Sequence, residues 1–197
     1  MLRLHPVTLE GTLVRLEPLT PEHAESMFES ACFPEIWTYM HDRLLTREAV
    51  DMYIAVALAA QEQGAALPFA IVEQSSGKVI GSTRLGNIAH RDRGVEIGWT
   101  WLTPRVWKTP INTECKWLLL RHCFEVLGCI RVQLKTDSRN HNSQRAIARL
   151  GAVREGVLRN HMIMPDGYVR DSVFFSFIDK EWPEVDQRLR TLLGDLA

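Results

Sequence analysis

The segment "TLVRLEPL" (12–19) alternates apolar and polar residues closely enough to predict a strand, and Thr20-Pro21 then reads as an N-cap followed by proline at the first helical position. A helix is expected from there to about Cys32. After Thr46, apolar Val50, Tyr53, Val56, Ala57 and Ala60 recur at helical spacing until Gly64 interrupts them, which predicts a second helix. "PFAIVE" (68–73), "VIGSTRLGNIA" (79–89) and "VEIGWTWL" (95–102) are rich in β-formers, and "QSSGK" and "HRDRG" divide them as turns, so three antiparallel strands in a meander fit best. Between 112 and 127 the apolar residues are dense, with Leu118, Leu119, Cys123, Phe124, Val126 and Leu127, and Gly128 stands where a helix would end. "IRVQLKTD" (130–137) alternates strictly, so strand, helix and strand form a crossover or its close relative. "NHNSQRAIARLG" (140–151) predicts a short helix, "REGVLRNHMIM" and "YVRDSVFFSFI" the arms of a hairpin about Pro-Asp-Gly, and "KEWPEVDQRLRTLL" a closing helix.

No linker or composition shift divides the 197 residues, so one domain over 1–197 is expected, and 46% hydrophobic content supplies a core without help from metal or disulfide. With 23 basic and 24 acidic residues interspersed and a formal charge of −1, nothing argues for nucleic acid as a partner. Cys32, Cys115, Cys123 and Cys129 form no CxxC pair and no Cys/His ligand set, which suits free thiols in a reducing compartment and gives no metal site. The first residues lack the apolar stretch of a signal peptide and no window resembles a membrane helix, so the expected location is cytoplasmic, with no membrane partner.

"RVWKTPINTECK" (105–116) reads as a helix entrance able to hold an anion, although it contains no glycine. With Thr109 as N-cap and Pro110 at the first helical position, the amides of Lys108, Thr109, Ile111 and Asn112 stay free at the positive end of the helix dipole. The Lys108 ammonium adds a charged contact that offsets the donor lost at Pro110. The plain alternative is a good helix start with Lys108 as a solvated surface residue.

"VRLEPLTPEHA", "EIGWTWL", "NTECKWLLLRHCFEVLG", "RVQLKTDSRNHNSQRAIARLGAVREGVLR" and "YVRDSVFFS", in that order and over nearly the whole chain, resemble the GNAT superfamily of acetyl-CoA-dependent N-acetyltransferases. More narrowly they resemble the branch that acetylates ribosomal-protein N-termini. The resemblance implies an α/β (α+β) fold: a twisted, mixed, mainly antiparallel sheet of about seven strands with flanking helices, splayed between the fourth and fifth strands. It implies coenzyme A in that gap, the pantetheine arm along the fourth-strand backbone at about Trp99, Trp101 and Leu102, and the pyrophosphate on the helix entrance. Trp107 would pack beside the pantetheine. The family pattern there, Arg or Gln, two residues, Gly, one residue, then Gly or Ala, falls on Trp107, Pro110 and Asn112, all three of which depart from it. Lys108 stands where this branch often has glycine.

The resemblance places Asn140 and Ser143 of an N-x-x-S motif near the coenzyme thiol, with Ser143 hydrogen-bonding the leaving sulfur. Either is also a good helix cap. Glu96, on the fourth strand, is the best-placed carboxylate for a general base, as several GNAT enzymes use a glutamate there; the alternative is a structural pairing with Arg84. Asp171 and His161 are the other candidates on the acceptor side. Trp37 and Tyr39 lie in the loop between the first two helices, where the resemblance puts an acceptor wall. The implied acceptor is a primary amine, either a protein N-terminus or a small molecule such as an antibiotic, amino acid or polyamine. An α-amine near pKa 8 needs only a weak base, whereas a lysine amine near 10.4 needs a stronger one. Related enzymes are often dimers, so a homodimer is implied by resemblance alone. A binding module that keeps the fold without catalysis is the reading from another class.

Overall fold

The computed structural model describes residues 2–194. Eight strands form one sheet in the order β1-β2-β3-β4-β5-β6-β8-β7: β1 Leu9–Glu10, β2 Val14–Pro18, β3 Leu67–Glu73, β4 Val79–Ala89, β5 Gly94–Leu102, β6 Arg131–Asp137, β7 Val153–Ile163 and β8 Val169–Ile178. The helices are α1 Ala24–Ala31, α2 Arg47–Glu62, α3 Ile111–Arg121, α4 His141–Arg149 and α5 Trp182–Leu193. Every neighbouring pair of strands is antiparallel except β5 and β6, which are parallel.

The sheet carries a core on each face. On one, Met27, Ala31, Trp37, Val50, Tyr53 and Ile54 of the α1–α2 layer close over Ala70, Val79 and Trp101. On the other, Leu118 and Leu119 of α3 and Leu189 of α5 close over Phe69, Ile71, Leu85, Val95, Ile97 and Phe177. The α2 stripe differs from the sequence expectation at Val56, which is 55% exposed; Ile54 takes its place beside Tyr53. The hairpin turn forms at Pro-Asp-Gly, with Gly167 at φ +82° and Met164 N–H donating to the Tyr168 carbonyl at 2.8 Å. The helix expected to Leu127 is α-helical to Arg121 and continues as a π turn over His122–Val126, and Gly128 ends it at φ +66°.

The sequence pattern did not predict β1. Its two residues pair with β2 through Leu9↔Leu16 and Glu10↔Arg15, and the turn between the strands is held from a distance: Glu114, buried on α3, accepts from the amides of Thr12, Leu13 and Val14 at 2.8, 2.9 and 2.8 Å. Gly11 is required beside that carboxylate, because a Cβ there would stand 2.7 Å from Glu114 Oε2.

One irregularity positions everything that follows. β5 and β6 pair through Gly94↔Arg131, Val95↔Val132 and Glu96↔Gln133 and then part, so the rest of β5 has a backbone edge without a strand partner. Just beyond, the β4–β5 register slips: Ser82 faces Trp101 and Arg84 faces Gly98, so Trp99 and Thr100 together oppose Thr83. Trp99 takes φ +51° to make this bulge. A bulge increases local twist, which swings the end of β5 away from β6. These are the splayed strands expected from the sequence, renumbered by the added β1.

Candidate active site

Two surfaces meet at the opening between β5 and β6. The first is the entrance to α3. A short turn over Pro104–Val106 leaves β5, and Lys108 then adopts φ +62°, the left-handed conformation that glycine takes most easily. This gives a physical reason for the glycine that the resemblance implies there, and Lys108 bears the strain instead. Thr109 is not the N-cap expected from the sequence. Its hydroxyl donates to the Val106 carbonyl at 2.7 Å, and α3 begins at Ile111 with Pro110 in the cap position. The prolyl ring has no N–H, so nothing is wasted where the cap residue points. The Ile111 amide makes only a long contact to Thr109 Oγ1, at 3.4 Å. The amides of Lys108, Thr109 and Asn112 have no partner among the described residues. Successive free N–H groups around a left-handed residue, at a helix N-terminus, form a concavity suited to an anion. The donor set therefore fits a pyrophosphate without any glycine.

Trp107 lies over this entrance, 44% exposed, and its indole N–H donates to the Leu102 carbonyl at 2.8 Å. That carbonyl was expected to be open to a ligand and is instead occupied. Trp101 contributes backbone alone: its ring is buried against Trp37 at 5.4 Å between centroids.

The second surface is the sheet face under α2. Glu96, 1% exposed, is not paired with Arg84 as the alternative had it. Lys135 of β6 reaches its Oε1 at 2.8 Å and Oε2 at 3.1 Å, while Asn87 and Gln133 each donate to Oε2 at 2.9 Å. The carboxylate is closed by donors on both oxygens. Gly98 and Gly86 make the space: a Cβ at Gly98 would stand 2.9 Å from Glu96 Oε1, and one at Gly86 would stand 2.5 Å from the Trp99 ring. The Trp99 ring therefore lies across β4, with the Arg84 guanidinium 5.6 Å and the Lys135 ammonium 5.9 Å from its centroid.

Further along the same face, His161 of β7 shares a hydrogen bond with Ser172 at 3.0 Å and meets Phe174 edge-on. Burial first, then the cations of Lys135 and Arg170, hold its imidazole below the ordinary histidine pKa, against the pull of Glu96. That direction favours the neutral ring, in which one nitrogen carries a lone pair. Arg170 donates to Ser172 Oγ at 3.0 Å and to the Tyr39 carbonyl at 3.4 Å, which ties the loop after α1 to the site. Burial also acts to raise the Asp137 pKa, but the Arg139 side chain and amide outweigh it and hold the carboxylate in its charged form.

At the mouth of the opening, Asn140 Oδ1 accepts from the Ser143 amide at 3.0 Å, so Asn140 is the cap of α4. The Ser143 hydroxyl, freed from that duty, makes no hydrogen bond among the described residues.

The structure thus brings together Glu96, Trp99, His161 and Tyr39 on one face, with Lys108, Thr109, Asn112, Asn140 and Ser143 around the adjoining opening. It removes Trp37 from the acceptor wall and sets Asp171 apart from His161. Trp37, 2% exposed, donates its indole N–H to the Ala31 carbonyl at 2.9 Å and is core, not acceptor wall. Asp171 accepts from the Asn160 amide at 2.8 Å, and its neighbours Arg170 and Ser172 are the ones that face His161. Alternation along β8 could have revealed that difference. Sequence reasoning missed Lys135, Gln133 and Asn87, whose approach to Glu96 depends on the parallel register, and Tyr53, which the helical spacing assigned only to packing. Among the described residues no cluster of His, Cys, Asp or Glu is suited to a metal ion, and no helix is long and apolar enough to cross a membrane.

The comparisons agree with this geometry. The model of the acetyltransferase (GNAT) domain matches residues 14–153. The chain is 25% identical over 175 residues to the uncharacterized N-acetyltransferase YoaA of Bacillus subtilis (strain 168), covering 86% of this chain and 96% of that one. The crystal structure of a GCN5-related N-acetyltransferase from Brucella melitensis is 30% identical, with a TM-score of 0.90 over 98% of this chain and 87% of its own. Mycobacterium smegmatis RimJ, solved in complex with CoA-disulfide, shares the fold at 23% identity, with a TM-score of 0.80 over 96% of this chain and 97% of its own. A parted β5–β6 pair, a helix entrance with unpaired amides beside it and a family match over most of the chain lead to one conclusion: this protein belongs to the GNAT acetyltransferases and is an N-acetyltransferase.

Proposed function

We propose that the acetyl acceptor is the α-amine of a protein or peptide N-terminus, which attacks directly while both substrates are bound. The observation that carries this reading is the state of the candidate bases. Glu96 is engaged on both oxygens by Lys135, Asn87 and Gln133, which leaves neutral His161 as the available proton acceptor on that face. A weak base suits an α-amine, of which an appreciable fraction is already neutral near pH 8; a lysine amine near 10.4 would demand more.

Acetyl-CoA, which supplies the acetyl group as an activated thioester, would be held by the amides of Lys108, Thr109 and Asn112, with Ile111 and the Lys108 ammonium beside them. The open backbone edge at Trp99 and Trp101 would bind the pantetheine arm, with Trp107 covering it at Leu102. Ser143 Oγ, unused by the protein, would hydrogen-bond the leaving sulfur, while Asn140 fixes its position. His161 would take the proton from the amine, and Glu96 would hold Lys135 and the floor of the site in place. Tyr39 would form part of the acceptor wall. The resemblance of the sequence to the branch that acetylates ribosomal-protein N-termini supports the same acceptor.

The test measures thiol release from acetyl-CoA with three acceptor sets: peptides with a free N-terminus, N-terminally blocked peptides containing lysine, and polyamines or aminoglycosides. Free-N-terminus peptides should exceed the others in kcat/KM by at least tenfold. Preferential turnover of blocked lysine peptides or polyamines would refute the reading.

A further inference from the structure

The charges on the face under α2 do not balance within the protein. Glu96 is neutralised by Lys135 and Asp137 by Arg139, with contacts of 2.8 Å in each case. Arg170 lacks a carboxylate at hydrogen-bond distance but is engaged by Ser172 and Tyr39. Arg84 has neither. It is 5% exposed, and among the described residues it forms no ion pair and no hydrogen bond; its Nε is sealed from water without a partner. An arginine remains charged in any protein environment, and a buried cation without a counterion is strongly unfavourable.

What Arg84 does have is rigid placement. Its guanidinium carbon lies 4.3 Å from the centroid of Tyr53 and 5.6 Å from that of Trp99, so two aromatic rings hold it. Cation–π contacts satisfy the faces of the guanidinium. They leave the in-plane N–H donors unused, and that fork matches a carboxylate in two parallel hydrogen bonds. Arg84 lies opposite Gly98, two residues along the same face of β5 from Glu96, so the fork lies beside the proposed site of acetyl transfer. A second cation brought there, such as a polyamine or a lysine side chain, would be repelled, while an acceptor carrying a negative group would be drawn in.

We propose that Arg84 is a specificity residue that binds a carboxylate carried by the acceptor, on the side chain of the same residue that presents the reactive amine. The preferred acceptor is then an N-terminus beginning with aspartate or glutamate. This inference rests on the α-amine reading above for its peptide form. Because the guanidinium is already fixed between two rings, binding orders little that was free, and the gain falls on KM rather than kcat.

The experiment compares kcat and KM for pentapeptide amides beginning with Asp, Asn, Glu, Gln, Ser and Lys, and for free aspartate and glutamate, with wild type, Arg84→Met and Arg84→Lys. Methionine keeps the packing against Tyr53 and Trp99 and removes the charge. A hydrogen-bonded charge pair of this kind is worth about ten- to a hundredfold. Asp and Glu peptides should therefore exceed their Asn and Gln counterparts at least tenfold in kcat/KM through KM. Arg84→Met should bring that ratio within threefold without altering acetyl-CoA affinity, and Arg84→Lys should keep part of it. Equal rates for acidic and amide peptides would overturn the proposal, as would an Arg84→Met loss spread evenly over all acceptors. Inert peptides with active free aspartate or glutamate would refute the peptide reading and support this one. Turnover confined to peptides without an acidic first residue would overturn this proposal and leave the α-amine reading standing, whereas turnover confined to blocked lysine peptides or polyamines would overturn both. If Arg84→Met fails to fold, the wild-type panel alone decides.

Discussion

Lys108 offers the sharpest test of the coenzyme site, because its backbone and its side chain make opposite predictions. The residue sits at φ +62°, where an L-residue is disfavoured by about 1 kcal/mol or more and glycine is not. Replacing it with glycine relieves that strain but loosens the unfolded chain, which offsets part of the gain. Lys108→Gly should be stabilised by about 0.5 kcal/mol, a rise in Tm of roughly 1–2 °C for a chain of this size. The same substitution removes an exposed ammonium from beside three free amides, so acetyl-CoA should bind about three- to fivefold more weakly at low salt, as expected for an exposed charge contact. Lys108→Glu reverses the charge and should weaken binding at least tenfold. Both losses should shrink in 0.5 M salt, where the screening length falls to a few ångströms. Calorimetric titration of wild type and both variants at low and high salt, with acetyl-CoA and an analogue lacking the pyrophosphate, separates these effects. Unchanged affinity for Lys108→Glu at low salt would remove the side chain from the site. An equal loss for the analogue lacking pyrophosphate would show that the residue acts through structure and not through the phosphate.

Three further outcomes can be checked directly. Glu114→Ala strips the acceptor from three backbone amides, and a loss of about 3 kcal/mol, seen as a fall in Tm of roughly 6–12 °C, is expected in thermal unfolding. Lys116, buried on α3 with its ammonium on Thr100 Oγ1 at 2.7 Å, has its pKa lowered to about 8 by burial. Between about pH 8 and 10.5 the unfolded chain binds the extra proton, so wild-type stability should rise with pH relative to Lys116→Met in urea denaturation, and a flat difference would disprove the shift. Ser143→Ala should lower kcat more than threefold at unchanged Tm, whereas Asn140→Ala should cost about 1 kcal/mol of stability through loss of the α4 cap.

Elements whose signals are local could be read in the sequence. The apolar run in α3 with Gly128 behind it, the Pro-Asp-Gly hairpin and the strict alternation of β6 each depend on residues a few positions apart. What escaped depends on residues far apart. β1 follows a turn at residues 12–14 that Glu114 fixes from α3, and no pattern in residues 9–10 foretells that. Glu96 pairs with Lys135 because of a parallel register that hydrophobic periodicity does not specify, so Arg84 looked like its partner and turned out to be unpaired. Trp37 follows a proline in a loop, where position suggests exposure, yet its ring completes the core under Trp101. The helix entrance was legible in chemistry and off by one residue in geometry, since Thr109 turns back to Val106 and passes the cap position to Pro110.

The clasp between Glu114 and residues 12–14 also bears on the order in which the chain assembles. Donors and acceptor are separated by 100 to 102 residues, so during synthesis the first turn emerges long before its counterpart and has nothing to close against. Contacts of such long range slow folding and leave early segments exposed. The contacts of the N-terminal turn with Glu114 therefore form only once α3 is in place, and the helix that presents the proposed coenzyme-binding amides at one end is the same one that secures the turn at residues 12–14. An N-terminal truncation through residue 13 would strand a buried carboxylate inside the cofactor helix, so damage at the first strand should register as lost coenzyme binding.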